Sequence, residues 1–175
     1  IELMRESDVD CPSIKEWLKD HVKGMVGVNA EMFSVNDYSD FDSELKSIDL
    51  IGPLWTEDRP AIPQDKLYPY SADFAGETVG SKLARMRKKI AAMHGGSIII
   101  SALDEIAWLL NIRGNDVEYN PVVVSYVVLE ADKCTLFVDA DKIDSPAQNY
   151  LDFNNIDVQP YEAVFEYIKG LRGTV

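Results

Sequence analysis

Basic residues, histidine and cysteine are all scarce in this chain. Among 175 residues, 17 are Lys or Arg against 30 Asp or Glu, a formal net charge of −13. Nucleic-acid binding rests on Lys and Arg neutralising phosphates, so a surface this acidic repels polyanions, and it repels an anionic membrane for the same reason. Neither a nucleic acid nor a membrane is expected as a partner. The two cysteines, Cys11 and Cys134, stand far apart and make no disulfide framework, which suits a reducing, cytoplasmic setting. The two histidines, His21 and His94, lie in different parts of the chain, and neither has a metal-binding spacing such as H-E-x-x-H. There is no G-x-S-x-G, and the stretch from Gly76 to Gly80 lacks the phosphate-loop pattern. Asp8-Val9-Asp10 and Asp139-Ala140-Asp141 lack the glycine and distal glutamate of a calcium loop and read as turn residues. No apolar run approaches the ~20 residues that span a bilayer. The chain opens on Ile-Glu-Leu-Met-Arg-Glu, with no basic region leading into an apolar stretch. Position 1 is not Met, which suits a piece of a longer protein.

What is present is an α/β pattern. Hydrophobic residues make up 46% of the chain, typical of a globular fold. The first part reads strand-helix-strand-helix-strand. A strand is expected at Ile1–Met4 and a helix opening on Cys11-Pro12-Ser13, with Pro12 at its first position. A strand follows at Met25–Val28, then a helix capped by Ser34 and running to about Lys46, then a strand at Ile48–Ile51. These strands should have edges that an intact protein covers. Four prolines between Gly52 and Asp73 mark an extended connector. An amphipathic helix follows over Thr78–Met93, with Val79, Leu83, Met86, Ile90 and Met93 inward, Lys82, Arg85, Arg87, Lys88 and Lys89 on its other faces, and Gly95-Gly96 as its stop. Ser97–Ile100 is a strand.

The least ambiguous unit is SALDEIAWLLNIRGNDVEYNPVVVSY, from Ser101 to Tyr126. Ser101 with Asp104 fits a capping box, and Leu103, Ile106, Ala107 and Leu110 form one apolar face, with Gly114 as the stop. A polar loop leads to Pro121 and to a β-branched strand over Val122–Leu129, expected to be buried on both faces and central in its sheet. A hairpin partner follows at Lys133–Val138, then a short helix from Ser145-Pro146, an edge strand at Ile156–Val158, and a last helix with Tyr161, Val164, Phe165, Ile168 and Leu171 inward.

That same stretch resembles the middle-domain signature of the three-domain, cytosolic Xaa-Pro aminopeptidases (aminopeptidase P). There a TALDEIAWL segment runs into N-L-R-G-S-D-V, then N-P and a strand ending in S-Y. Pro12-Ser13 with Glu16-Trp17-Leu18, Val26-Gly27-Val28, Trp55-Thr56, Asp58-Arg59-Pro60, Ala75-Gly76 and Lys82-Leu83 agree in order. The resemblance implies an α/β fold with a mixed β-sheet flanked by helices, creatinase/prolidase N-terminal-domain-like, preceded by a partial domain of the same class. The expected division is residues 1–52 as the C-terminal part of a first domain, 53–75 as a Pro-rich linker and 76–175 as the second domain.

The resemblance also implies a parent hydrolase, a metallopeptidase that removes the first residue of peptides with proline second. Its dinuclear manganese, or a similar divalent metal, would sit in a catalytic domain that this chain lacks. No cofactor and no catalytic residue are expected here, and the chain alone should be inactive. Its part would be to shape the cleft for a peptide substrate and to carry domain or subunit contacts, as in a homodimer. The functional residues of choice are Arg113, Asp116, Tyr119 and Asn120 in the 111–120 loop, where Arg113 could meet a carboxylate or carbonyl bidentately. A plainer reading makes that loop a helix cap and turn, with Arg113 bonded to backbone carbonyls. A competing function is an interaction or regulatory module that keeps the fold without the peptidase.

Overall fold

Ser13, rather than Cys11 or Pro12, opens the first helix. Its hydroxyl accepts from the Glu16 amide while the Glu16 carboxylate takes the Ser13 amide, a complete capping box that leaves Pro12 outside the helix. The structure is a computed structural model that describes residues 3–5, 8–41 and 44–173. It divides into two units, Ile1–Ala61 and Ile62–Val175.

Unit 1 holds α1 (Ile14–His21), β1 (Val26–Val28), α2 (Val35–Ser39) and β2 (Leu45–Ser47). Ser34 caps α2 as expected, but the helix stops after five residues rather than reaching Lys46. Asn36, Asp37, Ser39 and Asp40 are weak helix formers, and the Ser39 hydroxyl bonds back to the Val35 carbonyl. Leu45 and Lys46 instead join β2, which pairs parallel with β1 from Val26↔Leu45 to Val28↔Ser47. The strand expected at Ile48–Ile51 therefore lies three residues earlier. Leu3–Arg5 is irregular, and the rest of the expected first strand, Ile1 and Glu2, lies outside the described residues. Among the described residues of this unit, Val28 is the one buried apolar side chain, while Met32, Val35 and Leu54 are each about four-fifths exposed.

Unit 2 contains β3 (Tyr68–Pro69), α3 (Ala72–Ala75), α4 (Val79–Ala92), β4 (Ser97–Ile100), α5 (Leu103–Leu110), β5 (Ile112–Arg113), β6 (Tyr126–Glu130), β7 (Cys134–Phe137), α6 (Ser145–Phe153), β8 (Asp157–Gln159) and α7 (Val164–Gly170). Its main sheet runs β4-β6-β7-β8. The first two pairings are antiparallel, and β8 joins β7 in parallel at the edge. This is the mixed sheet with flanking helices that the sequence predicts. β6 is central but begins at Tyr126. Val122 and Val123 are buried ahead of it without joining the ladder.

One core lies between the sheet and α4, α5 and α6, and includes Leu83, Ile106, Leu110, Leu129, Leu136 and Leu151. Each such side chain contributes about 1.5–3 kcal/mol on leaving water. A second core, with Val128, Phe137 and Val164, lies under α7, where Phe165 points outward instead of inward. Part of the proline-rich stretch belongs to this unit. Leu67 is buried in the main core, and β3 pairs antiparallel with β5.

Candidate functional site

The 111–120 loop begins where α5 ends. Asn111, rather than Gly114, terminates that helix, with φ 48° and ψ 48° in the left-handed region that asparagine tolerates. At the other end Ala102 precedes the helix without a side-chain cap, so Ser101 does not serve as expected. Gly114 has a different task. A Cβ there would stand 2.5 Å from Val123 Cγ2 and 3.3 Å from the Val122 carbonyl, so only glycine lets these two stretches run this close.

A buried polar network fixes Asn111. Its Nδ2 donates to the Glu77 carbonyl at 2.9 Å, and its Oδ1 accepts from Lys82 Nζ at 2.7 Å. Lys82 also donates to the Trp108 carbonyl at 2.6 Å, and its ammonium lies 4.6 Å from the centre of the Trp108 ring. The charge pattern of α4 predicts Lys82 on a solvated basic face. The structure buries it, 1% exposed. The signal was present, since Lys82 follows Val79 by three residues and precedes Met86 by four, which puts it on the apolar side of α4. Burial lowers the Lys82 pKa, partly opposed by the charge of Glu77. The Glu77 carboxyl is itself held below its usual range by hydrogen bonds from Arg85 and Ser81.

Arg113 is half-buried. Its Nη1 donates to the carbonyls of Ala107 at 2.6 Å and Ile112 at 2.8 Å, and its guanidinium lies 4.5 Å from the centre of the Tyr70 ring. Asp116 is buried. Its Oδ2 accepts from the Val124 amide at 2.6 Å and forms a buried ion pair with Lys142. Lys142 carries no local sequence signal, because its partner is 26 residues away. The loop then closes through an antiparallel bridge between Val117 and Asn120. Tyr119 stands at the tip with φ 62°, and its side chain is 97% exposed. Glu118 and Asn120 are exposed beside it. The four expected residues thus separate into two pairs. Arg113 and Asp116 tie the base of the loop to the domain, while Tyr119 and Asn120 are held out at the tip. The tip exposes a ring face, an amide and a carboxylate, on a base tied to the domain by hydrogen bonds and an ion pair.

Among the described residues, no three of His, Cys, Asp or Glu come together as metal ligands. The His21 ring stacks on Trp17 at 4.5 Å with Nδ1 at 2.8 Å from the Trp17 carbonyl, and His94 takes φ 58° at the end of α4. Cys134 is buried in β7, and burial pushes its thiol up to about 12. The basic face of α4 is largely engaged. Arg85 pairs with Glu77 at 2.6 Å and Arg87 donates to the Glu130 carbonyl at 2.9 Å. Among the described residues, no helix is long and apolar enough to cross a membrane.

A mixed sheet backed by helices, with an anchored loop following its central helix, defines a domain class, and comparison places the chain in it. Residues 58–174 match the creatinase/prolidase N-terminal domain, and the chain belongs to that family. It is similar to proteins named probable Xaa-Pro aminopeptidase P. The one from Chaetomium globosum is 32% identical and aligns with 97% of this chain but 29% of its own length. The one from Colletotrichum graminicola is 33% identical over 98% of this chain and 30% of its own length. The chain therefore spans about three tenths of the length of these relatives. Its fold matches that of an X-prolyl aminopeptidase from Caenorhabditis elegans, described as a cytosolic enzyme with a di-nuclear active site. That match has a TM-score of 0.83 at 24% identity, and covers 95% of this chain and 29% of the other.

Proposed function

We propose that this chain is the non-catalytic N-terminal part of a cytoplasmic Xaa-Pro aminopeptidase, and that its 111–120 loop forms one wall of the peptide cleft. The division proposed with it makes residues 1–52 the end of a first domain, 53–75 a connector and 76–175 the second domain. The relatives supply the reaction class through their names. The observation that carries the role of the loop is its build, an exposed Tyr119–Asn120 tip on a base clamped by Arg113, Asp116 and Asn111. A wall of a cleft must present polar groups without moving, because lost positioning costs rate. The divalent metal of such a peptidase, manganese or a similar ion, does not fit the residues described here, since no ligand cluster exists among them. On the proposed reading it is held by the catalytic part of the parent peptidase.

Arg113 is a poor first mutation for testing the cleft. Removing its guanidinium takes a donor from the Ile112 carbonyl and a second donor from the Ala107 carbonyl, and costs stability as well as any substrate contact. Tyr119→Ala and Asn120→Ala touch the tip alone. With the chain joined to its catalytic part, each should lower kcat/KM for X-Pro peptides about three- to tenfold through KM, more for longer peptides, at unchanged melting temperature. Unchanged kinetics across several peptide lengths would sink the cleft assignment.

A further inference from the structure

The turn that supplies Lys142 also borders a cavity of about 300 Å³. That volume is at the small end for ligand sites, enough for one side chain and its neighbours rather than a large cofactor. The walls are mostly apolar, from Ile62, Val124, Pro160 and the ring of Tyr161. The charges at its border are unequal. Lys142 reaches the lining, but its ammonium is already neutralised by Asp116 within the fold. Asp139 and Glu162 bring two carboxylates. Asp139 accepts from the Asp141 amide at 3.0 Å and from Gln64 Nε2 at 3.0 Å, which hold its carboxyl below the usual range with smaller help from the charges of Lys142 and Lys66. Lys66, bonded to the Asp141 carbonyl, answers these two carboxylates with one positive charge. The border is thus net negative around an apolar interior.

A side chain with a long apolar stem and a cationic head matches both features, because such chains bury their methylenes and keep the charge at the water boundary. We propose that this cavity receives a lysine or arginine side chain from a polypeptide partner, the stem against Val124, Pro160 and Tyr161 and the head between Asp139 and Glu162. The proposal uses none of the loop-tip residues and stands whether or not the cleft assignment does. The charge of the whole chain works in the same direction, since −13 draws basic segments toward it.

The test is an amide chemical-shift titration of the full chain with Nα-acetyl-lysine methylamide, alongside the norleucine and glutamate counterparts. Saturable shifts confined to Val124, Ala140, Lys142 and Glu162 are expected with the lysine compound. The norleucine compound, which keeps the stem and loses the charge, should bind about fivefold more weakly, the upper range for an exposed ion pair. Glu162→Gln should cost the lysine compound a similar factor. Glu162 is exposed, so unchanged shifts elsewhere will establish that the variant is folded. Equal binding of the norleucine compound would overturn the proposal in favour of a purely apolar pocket. Preference for the glutamate compound, or no saturable shift with any of the three, would overturn it as well.

Discussion

Cys134 keeps its proton because the thiolate would be stranded in the core. Burial lifts its pKa from 9.0 to about 12. The folded state then holds a proton that the unfolded chain releases above pH 9, so the stabilisation present below that pH is lost as pH rises toward 12. Between pH 8 and 10 the thiol should remove about 1.4 kcal/mol of stability. Urea unfolding of wild type and Cys134→Ala at both pH values checks this. The cavity left by alanine is a constant cost, and only the difference between the two pH values reports the thiol. A Cys134→Ala chain with the same pH slope as wild type would show that the proton is not held by burial. Lys82 is the reverse case, a cation drawn inside and stabilised through two carbonyl-type acceptors and a ring face. Such a group survives burial only when its donors are all directed at partners.

At the scale of elements, the loop after α5 is held by one ion pair more than by its own sequence. Asp116→Leu or Lys142→Met alone leaves an uncompensated buried partner and should cost about 3–5 kcal/mol. Asp116→Leu with Lys142→Met together should recover much of that, short of the 1–3 kcal/mol for the Val124 amide left without an acceptor. Urea midpoints of the four species make a double-mutant cycle, and additive single losses would rule out the pairing. The same loop illustrates what could be read from the sequence. The elements of unit 2 were legible, because α4, α5 and the β6–β7 hairpin each carry a strong period and clear turn residues. Their ends were less so. Serine at 101 promised a cap that Ala102 fills only with backbone, and Asn111 took the left-handed turn that glycine at 114 was expected to make. In unit 1 the Ser34 cap predicts a helix to about Lys46, yet parallel pairing with β1 draws Leu45 into a strand. The four candidate residues were legible as a group, but their separation into anchors and tip was not. Lys142 and Lys82, which decide it, are distant in sequence from the loop they hold.

For the whole molecule, the two units differ in how much they bury. Unit 2 carries nearly all of the buried apolar side chains, whereas the two-stranded parallel ribbon of unit 1 has Val28 alone among the described residues. Parallel strands are stable when both faces are covered, and two strands alone are marginal. Residues 62–175 expressed alone should therefore unfold in one sharp urea transition with a well-dispersed amide spectrum, while residues 1–61 alone should show neither. A broad, non-cooperative transition for 62–175 would refute this. The anchors of the 111–120 loop also set an order of events. Its bonds to Glu77, Lys82 and Lys142 span 34, 29 and 26 residues, counted from Asn111 for the first two and from Asp116 for the third. Contacts so far apart in the chain form only after the intervening segments have closed, at the entropic cost of closing those loops. The hairpin of β6 and β7 needs only the turn at Ala131-Asp132. In a newly made chain the β6–β7 hairpin therefore forms before the loop is seated, and the base of the loop takes its shape together with the β4–β6 pairing, whose partners lie 27 to 33 residues apart.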